Sequence, residues 1–160
     1  MRTPRKIIFI HGLESSSQAV KAKLLREIFP QILTPDFRGS LAERMAVLEP
    51  ILDRASGWTI IGSSFGGLMG ALYTCRNPQQ VNKLILLAPA LIWPDFARNQ
   101  PGPVDVPVVI YHGTDDPVVP LEPVKQLAEQ VFTNLTFNAA DDDHGLHKTA
   151  HGIDWRALIE

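Results

Sequence analysis

Two short runs of this chain, Ile7-Ile8-Phe9-Ile10 and Leu84-Ile85-Leu86-Leu87, are apolar at every position. A strand with one wet face alternates apolar and polar residues, so a run without alternation fits a strand covered on both sides. Sheets of that kind are parallel and lie between two layers of helices. These runs, within 6–10 and 83–87, and further β-prone runs at 31–34, 58–62, 106–111 and 135–138 alternate with helical patterns. The expectation is therefore α/β: a three-layer sandwich, with a parallel sheet of about six strands and helices on both faces. The two wholly apolar runs are expected inside the sheet rather than at its edges.

The helical segments carry their own signals. From Ser17, Val20, Leu24 and Ile28 recur every four residues, with Lys21, Lys23 and Arg26 on the outer face and Pro30 closing the helix. Ser40-Leu41-Ala42-Glu43 reads as a capping box, opening a helix with Leu41, Met45, Leu48 and Leu52 on one side. Pro50 is predicted to kink or split it. Asn77-Pro78 ends a third helix, and two more are expected at 121–132 and 154–159. Residues 89–107 hold five prolines together with Trp93 and Phe96, which reads as an irregular loop with room for one helical turn.

Composition limits the function classes. At 160 residues the chain fits one domain, with no boundary inside 1–160. That length buries roughly two-thirds of the surface its unfolded form exposes. A net charge of −2 provides no basic field for a phosphate backbone, so a nucleic-acid partner is not expected. The lone cysteine, Cys75, excludes an intrachain disulfide and is placed as a buried thiol in an apolar helix. The basic opening from Met1 to Lys6 precedes an apolar run too short for a signal peptide, and no run is long enough to span a membrane. A cytoplasmic location and a small-molecule partner are the expectation, with no membrane partner.

The chemistry enters at Thr59-Ile60-Ile61-Gly62-Ser63-Ser64-Phe65-Gly66-Gly67. Gly-x-Ser-x-Gly alone arises by accident in a chain of this length with odds on the order of one in twenty. Here it follows a β-prone run and opens the helix-compatible Leu68-Met69-Gly70-Ala71-Leu72-Tyr73, which is the context a nucleophile elbow requires. Gly62 and Gly66 remove side chains that would crowd a sharp turn. They flank Ser64 symmetrically, which selects it over Ser63.

A serine hydroxyl needs a base to take its proton and an acid to orient that base. His112-Gly113-Thr114-Asp115-Asp116 follows the fifth β-run, and Asp141-Asp142-Asp143-His144-Gly145 follows the sixth. Both bring their side chains to the carboxyl edge of the sheet, where Ser64 also lies. His11 and His112, in His-Gly turns directly after strands, read as loop supports. His144, His147 and His151 have a spacing that a metal site can use, but Gly145 and Gly152 disfavour a continuous helix there. Asp115 and Asp116 both remain open as the acid on physical grounds, with Asp95 a remoter substitute. Asp36 reads as a turn or capping carboxylate. His147 is the substitute for His144.

The ordered segments Gly62-x-Ser64-x-Gly66, His112-Gly113-x-x-Asp116 and Asp143-His144-Gly145 resemble the α/β-hydrolase superfamily over essentially the whole chain. His11-Gly12-Leu13-Glu14-Ser15-Ser16-Ser17, with Lys21-Ala22 following, is similar to a small lidless branch of bacterial esterase-like proteins. The resemblance implies Ser64 as nucleophile, Asp116 as orienting acid and His144 as base. It further implies backbone N–H groups of Leu13 and Phe65 as an oxyanion hole. A carboxylic ester or thioester is the implied substrate, and no cofactor or metal is implied. The chain departs from larger members in lacking two leading strands and a cap insertion. Leu91, Ile92, Trp93 and Phe96 are the candidate walls of an open pocket, Trp93 and Leu91 foremost. Two other functions use the same features: an acyltransferase, and a protein-interaction module whose triad is vestigial and whose Leu91-Ile92-Trp93 stretch is a contact patch.

Overall fold

A computed structural model describes residues 5–99 and 101–160; of the basic opening, Met1 to Lys6, the first four residues lie outside them. Five parallel strands form one sheet: β1 (Lys6–Ile10), β2 (Trp58–Ser63), β3 (Val81–Leu87), β4 (Val108–Gly113) and β5 (Leu135–Ala140), paired in that order. The helices are α1 (Val20–Ile28), α2 (Leu41–Leu52), α3 (Phe65–Arg76), α4 (Pro94–Ala97), α5 (Leu121–Val131), α6 (His147–Gly152) and α7 (Trp155–Ile159).

Successive side chains of a strand point to opposite faces, and here both faces are dry. Ile8, Ile10, Ile60, Leu84 and Leu86 enter one core with α2, α3 and α5. Their neighbours Ile7, Phe9, Ile61, Ile85 and Leu87 enter a second core with α1, α6 and α7. This is the physical content of the unbroken apolar runs: a polar residue at any of these positions would be buried without water.

The expected sixth strand, 31–34, contracts to a single bridge between Leu33 and Ile8. Phe9 N–H donates to Leu33 O (2.9 Å) and Leu33 N–H to Ile7 O (3.0 Å), after which Pro35 removes the next donor. As a result β1 is the terminal strand of the sheet, contrary to expectation, and the Leu33 segment covers part of its free edge. The chain thus leaves β1 on the Leu33 side and re-enters on the other side as β2. In open parallel sheets that change of direction opens a crevice at the carboxyl ends of the strands.

Three helix expectations change. In α1 the fully buried residues are Ala22 and Leu25, with Phe29 just past its end; Leu24 and Ile28 pack half-buried against the same core as expected, whereas Val20 is exposed and the helix starts after Ala19 rather than at Ser17. Pro50 does not split α2: it sits in the last turn, with only Ile51 and Leu52 beyond it, so few hydrogen bonds depend on it. The capping box forms as read, with Glu43 N–H donating to Ser40 Oγ (3.2 Å) and Ser40 N–H to Glu43 Oε1 (3.3 Å). The third change is α6, a short helix in a segment whose glycines argued against one; Gly145 lies before it and Gly152 is its last residue. Cys75 is half-buried rather than buried. Among the described residues no helix is long and apolar enough to cross a membrane.

Candidate active site

Ser64 sits between β2 and α3 with φ 55° and ψ −114°, a conformation L-residues avoid. The surroundings over-determine it. Ser64 N–H donates to Leu87 O (2.9 Å), and its carbonyl accepts from Ala90 (3.0 Å), Gly67 (3.0 Å) and Leu68 (3.2 Å). A Cβ on Gly62 would lie 2.5 Å from Gly66 O, and one on Gly66 would lie 2.1 Å from Ile10 O. Both glycines are therefore required by backbone packed against backbone, as their symmetric placement around Ser64 suggested.

Ser64 Oγ lies 3.0 Å from His144 Nε2, and His144 Nδ1 lies 2.7 Å from Asp116 Oδ2. Asp116 Oδ2 can only accept from His144, which puts the proton on Nδ1 and leaves Nε2 free to accept from the serine hydroxyl. The Asp116 side chain is fully buried, and its other oxygen accepts from Val118 N–H and Val119 N–H, both at 2.8 Å. Asp115, by contrast, faces solvent while its N–H donates to Asp142 O (3.1 Å). That bond, with Thr114 N–H to Ala140 O (2.8 Å), ties the loop after β4 to the loop after β5 and so brings Asp116 beside His144. Asp142 anchors the second loop from the other end: it accepts from Thr149 N–H (3.0 Å) and Thr149 Oγ1 (2.8 Å) on α6.

The remaining candidates fall into supporting places. His11 Nδ1–H donates to Gly12 O (2.7 Å) and its Nε2 accepts from Phe37 N–H (3.0 Å). His112 is buried and donates from Nε2 to Val119 O (2.8 Å). Asp36 accepts from Ser17 N–H and Ser17 Oγ, and that backbone bond, followed by the hydroxyl bond, holds its carboxyl below the usual value. Asp95 is exposed on α4. His147 is exposed, and His151 Nδ1–H donates to its carbonyl (2.7 Å).

Ser64 and His144 open into a cavity of about 640 Å³, whose apolar walls include Leu13, Val20, Ile92, Trp93 and Val118. Leu13 and Phe65 both line it. Phe65 is the first residue of α3, so its N–H has no carbonyl one turn earlier to bond. Trp93 lies edge-on to the Phe65 ring, centroids 5.2 Å apart. Leu91 and Phe96 are not walls: both are 0% exposed and belong to the core, because the loop after β3 turns them inward and leaves Ile92 and Trp93 outside. A second cavity, about 610 Å³, lies at the opposite edge of the sheet beside Arg5, Lys6 and Lys83, away from Ser64.

Sequence reasoning missed Lys21 and Arg44. Lys21, placed on the outer face of its helix, lines the cavity instead; burial lowers its pKa, opposed by Asp142 and Asp143. Arg44 is 4% exposed on the inner face of α2. The signal for Arg44 was present, a lone cation beside Met45 on the apolar side of that helix.

A serine elbow at the carboxyl edge of a parallel sheet, hydrogen-bonded through histidine to aspartate, is the arrangement of the α/β-hydrolases, and this chain is a member of that superfamily. Within it, residues 52–159 match the phospholipase/carboxylesterase family, and the chain belongs to that family. No curated protein matches it by sequence. Among solved structures it is similar to mouse alpha/beta hydrolase domain-containing protein 10, at 20% identity and TM-score 0.75, over 99% of this chain and 87% of the other. Est1E from Butyrivibrio proteoclasticus, solved with ferulic acid bound, gives 18% identity and TM-score 0.77, over 96% and 88%. Monoacylglycerol lipase from Paleococcus ferrophilus gives 16% and 0.69, over 96% and 91%. At these identities the likeness is one of fold.

Proposed function

We propose that this protein is a serine esterase that hydrolyses carboxylic esters or thioesters of small substrates through an acyl-enzyme on Ser64. The observation that carries the reading is the continuous hydrogen-bonded line from Ser64 Oγ through His144 to Asp116, opening into an apolar-walled cavity. Membership of the phospholipase/carboxylesterase family supports the ester substrate class.

In this reading the substrate carbonyl enters beside Ser64. As Oγ attacks the carbonyl carbon, His144 Nε2 takes the hydroxyl proton, and Asp116 holds the imidazole in the tautomer that can accept it. The charge developing on the carbonyl oxygen is met by the N–H groups of Leu13 and Phe65. The tetrahedral intermediate collapses when His144 returns its proton to the departing alcohol or thiol, leaving the acyl group on Ser64. Water then repeats the sequence, with His144 again as base, and the free acid leaves. The apolar walls, Trp93 and Val118 among them, suit an alkyl or aryl group on the substrate.

The aligned His144 and the cavity beside Ser64 weigh against a vestigial triad. Acyl transfer to an alcohol or amine uses the same groups, and product analysis with competing acceptors separates it from hydrolysis. The test of the main reading is hydrolysis of short p-nitrophenyl esters together with labelling by a fluorophosphonate. Wild type should do both and Ser64→Ala neither; labelling that survives Ser64→Ala would remove the nucleophile assignment.

A further inference from the structure

A guanidinium at 4% exposure loses most of its hydration, which is costly unless its donors find acceptors. Among the described residues Arg44 has no carboxylate at ion-pair distance. Its donors go elsewhere: Nε–H to Gly39 O (3.0 Å), in the segment that opens its own helix, and Nη2–H to Leu13 O (3.0 Å), thirty-one positions away. The guanidinium carbon stands 5.3 Å from the centroid of the Phe65 ring. Among the described residues Nη1 has no hydrogen-bond acceptor, and an aromatic face attracts a cation without accepting a full hydrogen bond.

One side chain therefore grips two residues far apart in sequence, Leu13 by its carbonyl and Phe65 by its ring. These are the two residues whose N–H groups meet the oxyanion in the proposed mechanism. Leu13 needs such a grip, because it is 46% exposed and its loop, Gly12 to Ser16, is held internally by a single long bond, Ser15 N–H to Gly12 O (3.3 Å). Phe65 also packs edge-on with Trp93. Oxyanion stabilisation depends on donors fixed in advance at the position the charge will occupy, so a loop free to drift would lose it.

We propose that Arg44 is a positioning residue that fixes the separation of the Leu13 and Phe65 amides and thereby sets the oxyanion hole. The proposal rests on the esterase reading for its catalytic consequence, but the positioning itself is read without activity. Amide resonances of ¹⁵N-labelled protein are compared for wild type, Arg44→Lys, Arg44→Met and the core control Leu48→Ala. Leu13 and Phe65 should shift or broaden in both Arg44 variants and stay in place in Leu48→Ala, because lysine keeps the charge but not the fork that reaches two partners. Unmoved Leu13 and Phe65 resonances in Arg44→Lys overturn the proposal, whatever the assays give.

The kinetic arm uses a p-nitrophenyl ester. Loss of an oxyanion donor costs about 10²–10³-fold in kcat, and displacement should cost roughly ten- to a hundred-fold with KM little changed. Affinity for a trifluoromethyl ketone of the same acyl group should fall by the same factor. An unchanged kcat in Arg44→Lys, or equal losses in Leu48→Ala, overturns the positioning role. The esterase reading is judged separately, on wild type against Ser64→Ala.

Discussion

Asp116 and Asp115 are consecutive in sequence, yet Asp116 Oδ2 lies 2.7 Å from His144 Nδ1 in full burial while Asp115 faces solvent. The turn after β4 separates them: Val118 and Val119 aim their N–H groups at Asp116 Oδ1 and hold that one carboxylate inward. If Asp116 orients the base, Asp116→Asn should lower kcat on the order of 10³–10⁴-fold, by favouring the wrong imidazole tautomer. Asp115→Asn should stay within about twofold, as expected of an exposed side chain away from the reacting groups. Steady-state kinetics on one ester decide it, and the reverse order would reassign the acid.

The elbow makes a sharper demand on backbone space. An alanine at Gly66 would put Cβ 2.1 Å from Ile10 O and 2.5 Å from His11 O, both main-chain atoms that cannot move cheaply. Gly66→Ala should cost more than about 4 kcal/mol or prevent folding. Gly102→Ala, where no described residue lies within 4 Å, should change stability by no more than about 0.5 kcal/mol. Urea midpoints of the two variants test the contrast; a folded Gly66→Ala of wild-type stability would contradict this packing.

Asp36 gives a pH dependence with a definite sign. Its carboxyl is held below 3.8 by the Ser17 backbone N–H first and the Ser17 hydroxyl second. A depressed folded pKa contributes stability above the unfolded value and loses it as pH falls through the folded one. Wild type should therefore exceed Asp36→Asn in urea midpoint at pH 7, and the gap should close on acidification below about pH 4. A gap that is equally wide at pH 3 would show that the charge is not its source.

Cys75 tests burial near the back of α3. Burial pushes its thiol up to about 12, with Arg76 acting in the opposite direction. Thiolate is the reactive form, so at pH 8 native protein should react with iodoacetamide far more slowly than protein in urea. Equal rates in the two states would mean that the thiol is open to solvent.

Much of this fold was legible because it rests on local rules. Ile7 to Ile10 and Leu84 to Leu87 had to be covered on two sides, and they feed two separate cores. The Ser40–Glu43 box marked the start of α2 to the residue. The failures share a different origin. Residues 31–34 have strand composition, but only Leu33 pairs, since pairing depends on where a neighbour lies and Pro35 limits how far it runs. Leu91 and Trp93 are both apolar, and a single turn after β3 sends one into the core and the other to the cavity. Val20 and Lys21, expected on opposite faces of α1, both line the cavity, because the first turn of that helix lies beside the site rather than over the sheet.

By itself the sequence determined the parallel α/β architecture and Ser64 at the elbow, because strand covering and glycine spacing act within a few residues. The resemblance named Asp116, but local physics left Asp115 open, and only tertiary structure decided that the Asp116 carboxylate meets His144, that Leu91 is core, and that Arg44 reaches both Leu13 and Phe65. Each of those outcomes depends on the relative placement of segments tens of residues apart, set by hydrogen bonds such as Asp115 N–H to Asp142 O that no local pattern encodes.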